Sequence, residues 1–534
     1  MNRKTLVLSA VIGLLAPALA ACGGSDSGSG GDAIVVGTTD QFELTSDSPA
    51  PFDPAYSYDA GVWNVLRQTF QTLVAVPKGG GEPEPEAAQS CVFSDTGSER
   101  YVCTLRKGLE FSDGTPVTAA DVKYSIDRVR GIDSDSGIAG LLSTVDTVEV
   151  VGKRQVVFHL NTPDATFPYK LATPAAAIVN PDDYAKNKLR KGFDMDGSGV
   201  YTLQTEVKND KVVKATFTKN PRYKGTLTAK SDKVELRPMA SAEAMETALE
   251  KGDIDVMSRT LSPDQIAKYS AKEPEGINFV ETQGLETNFL GFALDDGDVG
   301  NKAVRQAVAQ VVDRGQIAAE AYKSTSEALY SLVPAGVVGH ANSFFNKYND
   351  PDRDKAAAIL RRAGVSTPVK LSLHYTQDHY GPVMKKEFEL LKQQLDGSGL
   401  FSTEVHETKS WTTYRAAQLK GKYQVYGMGW VADFPDADNF LAPFLDKDNF
   451  LKSTYANNTI RRELIPASRR EADRMSASKS LGQIQDIVAD DVPMLPLTQT
   501  KQYVAARDDI TGVEWALSAT SELQMWELGR GVSG

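Results

Sequence analysis

The chain has 534 residues, of which 41% are apolar and 24% are charged. This length exceeds a typical single domain, so two or three domains with ample hydrophobic core are expected. The formal net charge of -12 argues against a nucleic-acid-binding protein, which needs a basic surface. The small numbers of cysteines and histidines, three and five, argue against a cysteine-rich zinc site.

The N-terminus has the pattern of an export signal. Arg3 and Lys4 precede an apolar run that ends in Leu19-Ala20-Ala21-Cys22, and residues 1–21 are therefore predicted to be a signal peptide. The run is too short for a membrane-spanning helix. The last four residues resemble the bacterial lipoprotein box, in which the cysteine is acylated. The alternative is an ordinary signal peptide that happens to contain a cysteine.

A lipidated cysteine would place the protein outside the cytoplasm. Residues 22–32 are rich in glycine and serine and predict a flexible tether that begins at Cys22. We therefore expect an extracytoplasmic protein that is lipid-anchored to the outer face of the cytoplasmic membrane. The protein would then contact the membrane only through its lipid anchor.

The two remaining cysteines flank a predicted β-hairpin. Cys91 and Cys103 are equidistant from Gly97, which lies in a turn-forming stretch. Symmetric antiparallel pairing places them opposite each other, with Cα atoms about 4.5–5.5 Å apart, which is within disulfide range. For an exported protein, a structural disulfide is favoured over two free thiols.

Residues 105–122 combine a turn with the start of a helix. Asp113 and Gly114 favour the turn. Thr118 is a predicted N-cap, with Asp121 three residues later in a near capping box. The following apolar positions share one helical face: Val122, Ile126 and Val129. These residues predict a structural role.

An aromatic and acidic loop follows a predicted strand near residue 428. Trp430 stands three residues before Asp433, and Pro435 excludes a helix interior. An aromatic ring close to a carboxylate suits a ligand with a positive end and an apolar body. The alternative is that Trp430 belongs to the core and that the acids cap a turn.

Six stretches, in the same order, resemble motifs of the bacterial extracellular solute-binding proteins of family 5. These stretches are residues 52–54, 105–122, 194–201, 217–223, 303–314 and 426–440. Members of this family are the oligopeptide- and dipeptide-binding components of ABC importers. The resemblance covers nearly all of the chain after Gly31.

The resemblance implies an α/β, periplasmic-binding-protein-like fold of cluster C, with two lobes around a cleft plus an extra domain. The first domain would be discontinuous. The implied boundaries are 33–60, 195–285 and 495–534 for domain I, 61–194 for domain II and 286–494 for domain III.

The resemblance also assigns roles in the loop at residues 426–440. Asp433 matches the acid that pairs with the α-ammonium group of a peptide, and Trp430 would line the adjoining side-chain pocket. Phe434 and Asp436 are further candidate ligand contacts. The chain departs from the pattern at Gly427, where binders of longer peptides carry an arginine that faces the ligand carboxylate.

The implied function is capture of di- to oligopeptides in the interdomain cleft and delivery to the permease subunits of an ABC importer. Other cargo of the same family stays open: an oligosaccharide, an opine or chelated nickel. We expect a monomer with no cofactor, metal or nucleic-acid partner. His374 and His379 are weak candidates for a metal pair. The P-loop, Gly-x-Ser-x-Gly and His-Glu-x-x-His motifs are absent, so no enzyme activity is expected.

Overall fold

The structure is a computed structural model. It describes residues 33–45, 48–134, 138–258, 261–272, 274–377, 380–381, 383–447 and 449–531. The predicted signal peptide (1–21), the lipidation site Cys22 and the tether (22–32) lie outside the described residues.

The strands belong to one large sheet and to smaller antiparallel sheets. Their bounds are β1 Ile34–Thr38, β2 Val74–Ala75, β3 Glu84–Pro85, β4 Ala88–Phe93, β5 Arg100–Leu105, β6 Val145–Val151, β7 Gln155–Leu160, β8 Tyr201–Lys208, β9 Lys211–Lys219, β10 Lys233–Pro238, β11 Val256–Ser258, β12 Ile277–Phe292, β13 Ser326–Ala328, β14 Val369–Tyr375, β15 Phe401–Glu407, β16 Val425–Trp430, β17 Met494–Arg507, β18 Ile510–Thr511 and β19 Gly529–Arg530.

The helices alternate with these strands, as expected for an α/β protein. Their bounds are α1 Ala60–Thr69, α2 Ala119–Ile132, α3 Phe167–Leu171, α4 Ala242–Lys251, α5 Pro263–Ala271, α6 Lys302–Val311, α7 Arg314–Glu320, α8 Ser343–Tyr348, α9 Arg353–Arg362, α10 Val383–Gly397, α11 Trp411–Leu419, α12 Asp438–Leu445, α13 Ile465–Arg470, α14 Ser478–Asp491 and α15 Val513–Ala516. Within the described ranges, none of them is long and apolar enough to cross a membrane.

The large sheet is mixed and runs in the order β15-β14-β16-β12-β17-β11-β1-β10-β9-β8, with β13 also paired to β17. Its two longest strands, β12 and β17, pair antiparallel from Ile277↔Arg507 to Gly291↔Met494. This pair lies in the middle of the sheet and joins its two halves. A separate four-stranded sheet, β4-β5-β7-β6, is antiparallel.

The apolar core is divided into two large clusters. The first draws mainly on residues 34–236 and 504–528, and the second draws on residues 285–497. Strands β12 and β17 pass from one cluster to the other, so the central strand pair connects two separately packed bodies. This division lies close to the predicted start and end of domain III, although the domain boundaries themselves stay a prediction.

Helix α2 begins as its sequence indicates. Thr118 and Asp121 form a capping box, in which the Asp121 carboxylate accepts from the backbone N–H of Thr118 at 2.7 Å. Such reciprocal bonds satisfy donors that a helix start would otherwise leave unpaired. The buried face of α2 includes Val122, Ile126 and Val129. The predicted cap and apolar stripe are therefore confirmed.

The cysteine hairpin consists of β4 and β5. Cys91 lies opposite Cys103 in the register of this strand pair. A disulfide joins the two residues, whose Cα atoms are 4.1 Å apart. Cys103 is fully buried against the first core cluster, so the crosslink connects the edge of the small sheet to packed core.

Candidate functional site

The loop between β16 and α12 is held by one asparagine. The Asn439 side-chain oxygen accepts from the Trp430 indole N–H at 3.2 Å and from the Asp433 backbone N–H at 3.0 Å. Its amide nitrogen donates to Asp433 Oδ2 at 3.0 Å. Three bonds from one buried side chain fix the position of the Asp433 carboxylate relative to the sheet.

Asp433 is a partly buried acid in a mostly neutral environment. Burial raises the pKa of its carboxyl to about 6, although hydrogen bonds from Asn439 and Tyr58 and the charge of Lys170 act in the opposite direction. Lys170 itself is paired with Asp164 at 2.7 Å. Among the described residues, no cation lies within ion-pair distance of Asp433, so its negative charge is only partly compensated.

Phe434 connects the two core clusters. It belongs to the second half of the chain, yet its buried ring packs within the first cluster. It stacks on Tyr169 of α3 with ring centroids 6.0 Å apart. Beside this contact, the backbone N–H of Ala165 donates to the carbonyl of Arg469 at 2.8 Å. The loop that carries Asp433 therefore contacts the opposite body directly.

Asp436 is engaged by an arginine. Its two oxygens lie 2.7 Å and 3.1 Å from Arg474 Nε and Nη2, and both side chains are 3% exposed. Asp436 also accepts from the backbone N–H of Asp438 at 2.8 Å. These contacts hold the start of α12. Contact between Asp436 and a ligand stays a prediction.

Trp430 packs edge-on against two rings. Its centroid lies 5.1 Å from that of Phe444 and 5.3 Å from that of Phe450. This packing agrees with the alternative interpretation, in which the tryptophan belongs to the core. Contact between Trp430 and a ligand stays a prediction.

A cavity of about 430 Å³ opens beside the loop. Asp433 and Phe434 line it, whereas Trp430 and Asp436 are not among its described lining residues. Residues of both core clusters line the cavity, for example Leu66 from the first and Leu285 from the second. A mostly apolar cleft with a few polar groups is typical of a small-ligand site. A second cavity, of about 290 Å³, includes Val431 in its wall.

Several residues at this site had no role assigned from the sequence. Asn439 stands in the motif that carried the family resemblance, and its position beside two acids was the only local signal. No local signal marked Tyr58 and Lys170, which act on Asp433, or Glu86, which lines the same cavity. All three come from distant segments and reach the site only in the folded chain. Arg474, the partner of Asp436, is also remote in sequence.

The described residues hold no cluster of three or more His, Cys, Asp or Glu side chains that could bind a metal ion. His374 stacks on His406 and Tyr423, with ring centroids 4.9 Å and 4.2 Å apart. His379, its proposed metal partner, lies outside the described residues.

The fold and the cavity together define the class of protein. The chain has a periplasmic-binding-protein-like fold. Its two packed bodies are joined by a central strand pair, and a largely apolar cavity lies between them. Residues 82–452 match the bacterial extracellular solute-binding proteins, family 5 middle. The chain belongs to this family of solute-binding proteins, which are not enzymes.

Named relatives align with most of the chain. The probable D,D-dipeptide-binding periplasmic protein DdpA of Escherichia coli (strain K12) is 26% identical over 478 residues, which cover 87% of this chain and 89% of the relative. The dipeptide-binding protein of the same organism is 25% identical over 496 residues, with 87% and 89% covered.

Solved structures support the fold. HbpA2 from Haemophilus parasuis superposes with a TM-score of 0.79 at 20% identity, covering 94% of this chain and 100% of the other.

Proposed function

We propose that this chain is the substrate-binding component of an ABC importer and captures di- to oligopeptides with a free α-amino group. The observation that carries the proposal is the Asp433 carboxylate on the wall of the cavity, without an ion-pair partner among the described residues. The names of two relatives, which describe dipeptide binding, support the same cargo.

The physical argument concerns the ligand's ammonium group. Enclosure between two lobes removes water from this group, and an unpaired buried charge is costly. Asp433 supplies a counter-charge at a position that Asn439 holds in place. Backbone hydrogen bonding along an extended peptide can add affinity with little regard for side chains. Phe434, which lines the cavity, would provide apolar surface beside the bound peptide. Trp430 and Asp436 would support the loop from outside the cavity wall.

The proposal includes the arrangement that delivers cargo. The protein would act as a monomer. Its three domains, with the boundaries given above, would close over the peptide, and the permease would recognise the closed form. The contact between Phe434 and Tyr169 is one point where such closure brings the two bodies together.

Blocking the amino group tests the function. Calorimetry with a dipeptide pool should detect binding of the free peptides and little or none of the same pool after N-acetylation, because acetylation removes the positive charge. Equal binding of both pools would refute the amine contact. Binding of an oligosaccharide, an opine or a nickel chelate without any peptide binding would instead favour the other cargo classes.

The lipid anchor is proposed from the sequence around Cys22. We expect Cys22→Ala to move the protein from the membrane fraction to the soluble extracytoplasmic fraction, because the acylated thiol is lost. Fractionation and immunoblotting measure this. A Cys91→Ala/Cys103→Ala double variant, which keeps Cys22, serves as the control and should stay with the membrane. A Cys22→Ala protein that still sediments with membranes would contradict the anchor.

A further inference from the structure

The cavity that contains Asp433 has a second buried carboxyl group on its wall. Glu86 is 2% exposed and is one of the residues that line the cavity. Its oxygens accept from Gln71 Nε2 at 3.1 Å and 3.0 Å and from the Tyr223 hydroxyl. Gly225 provides room for this arrangement, because a Cβ there would collide with both Glu86 Oε1 and Tyr223 Oη.

Glu86 is held by neutral donors and has no ion-pair partner among the described residues. The nearby Arg106 directs its Nε to the backbone carbonyl of Glu86 at 2.6 Å instead of to the carboxyl group. Burial raises the pKa of the Glu86 carboxyl to about 7, against the hydrogen bonds from Tyr223 and Gln71 and the charge of Arg106. The carboxyl is therefore desolvated without a matched positive charge.

The cationic side chains that line the cavity are already paired with acids. Arg67 Nε lies 2.6 Å from Glu522 Oε2, and Arg474 is paired with Asp436. Of the described acids on the cavity wall, Asp433 and Glu86 thus combine burial with the lack of an ion-pair partner. Two such acids favour a ligand that carries two positive charges.

The surroundings of Glu86 fit one kind of cationic group. Phe70, next to Gln71, and Leu227, whose backbone N–H donates to the Tyr223 hydroxyl at 2.9 Å, both line the cavity. Lysine and arginine side chains have an apolar stem and a charged end, which match apolar walls leading to a buried acid.

We propose that Glu86 selects peptides with a basic side chain, whose cationic end binds its carboxylate while the peptide's α-amine binds Asp433. This inference rests on the proposed function, since it assigns the second charge of a peptide bound at the same cavity. The binding site would then prefer cationic peptides, instead of accepting peptides regardless of their side chains.

Paired dipeptides test the inference. Calorimetry on the purified protein would compare Ala-Lys and Lys-Ala with Ala-norleucine and norleucine-Ala, which keep a four-carbon side chain but lack the ammonium group. We expect at least one lysine peptide to bind about tenfold or more tightly than its norleucine counterpart, as for a desolvated charge pair. In Glu86→Gln this preference should fall below about threefold.

Glu82→Gln is the matched control, since Glu82 is an exposed acid that lines the same cavity. It should leave the lysine preference unchanged. Binding of all four peptides with equal affinity, or a preference that persists in Glu86→Gln, would overturn the inference and leave the proposed function standing. No binding of any of the four dipeptides would overturn the inference, and no binding of the free dipeptide pool as well would overturn the proposed function too. Tight binding of 1,5-diaminopentane, which has two amines but no peptide backbone, would overturn the assignment to peptides in favour of a free diamine.

Discussion

Replacing Asp433 by asparagine should weaken binding of peptides with a free α-amine by about 2–5 kcal/mol, since the ammonium group would stay buried without its partner. Asn439 donates to Asp433 Oδ2 at 3.0 Å, and it can make the same bond to an amide oxygen. The loop should therefore keep its shape, and the loss should reflect charge. Calorimetry of the variant with one dipeptide measures the effect.

The control is again Glu82→Gln, which removes a carboxylate from the same cavity at an exposed position. Its affinity for the dipeptide should stay close to that of the unmodified protein. If Asp433→Asn binds the peptide as tightly as this control does, Asp433 does not recognise the amine.

The same contact makes binding depend on pH. The Asp433 carboxyl in the free protein has a pKa raised by burial to about 6, and a bound ammonium group would lower it. Affinity for a dipeptide without a basic side chain should therefore be highest near pH 7 and fall as the pH drops through 6, by up to about tenfold per pH unit. It should also fall above about pH 8, where the α-amine of the peptide loses its proton. Asp433→Asn should lose this dependence, and a wild-type affinity that stays flat from pH 7.5 to 5 would contradict the assignment.

The second large effect concerns stability. Asp53→Asn should reduce the free energy of unfolding by about 3–5 kcal/mol, the cost of leaving a buried charge without its partner. Arg128 Nη1 and Nη2 lie 2.8 Å and 2.6 Å from the Asp53 oxygens, and the two side chains are 1% and 0% exposed. The remaining guanidinium bonds go to the carbonyls of Ala185 and Lys188, which cannot replace the carboxylate's charge.

Asp127→Asn provides a comparison on α2, the helix that carries Arg128. Asp127 pairs with Lys123 at 2.8 Å in a partly exposed i,i+4 ion pair, and the loss of such a pair costs about 0–0.5 kcal/mol. Urea unfolding followed by circular dichroism measures both variants. A shift for Asp53→Asn no larger than that for Asp127→Asn would show that the buried pair adds nothing to stability.

Local structure in this protein could be predicted from short stretches of sequence. The capping box of Thr118 and Asp121, the apolar stripe of α2 and the register of Cys91 with Cys103 each depend on residues fewer than about fifteen positions apart. Helix capping, helical periodicity and hairpin symmetry act over such distances. The order of the motifs also predicted the family and thereby the fold class.

The site depended on contacts between distant segments. From the sequence, Asp433, Phe434 and Asp436 lie in one loop. Nothing in it indicated that Arg474 forms an ion pair with Asp436. Nor did it indicate that Phe434 packs on Tyr169. It also gave no sign that Glu86 lies on the wall of the cavity that Asp433 lines. The reason is physical: the burial and charge pairing of an acid depend on which remote residues pack around it. Here β12 and β17 join the two bodies that bring those residues together, and local sequence carries no record of that packing.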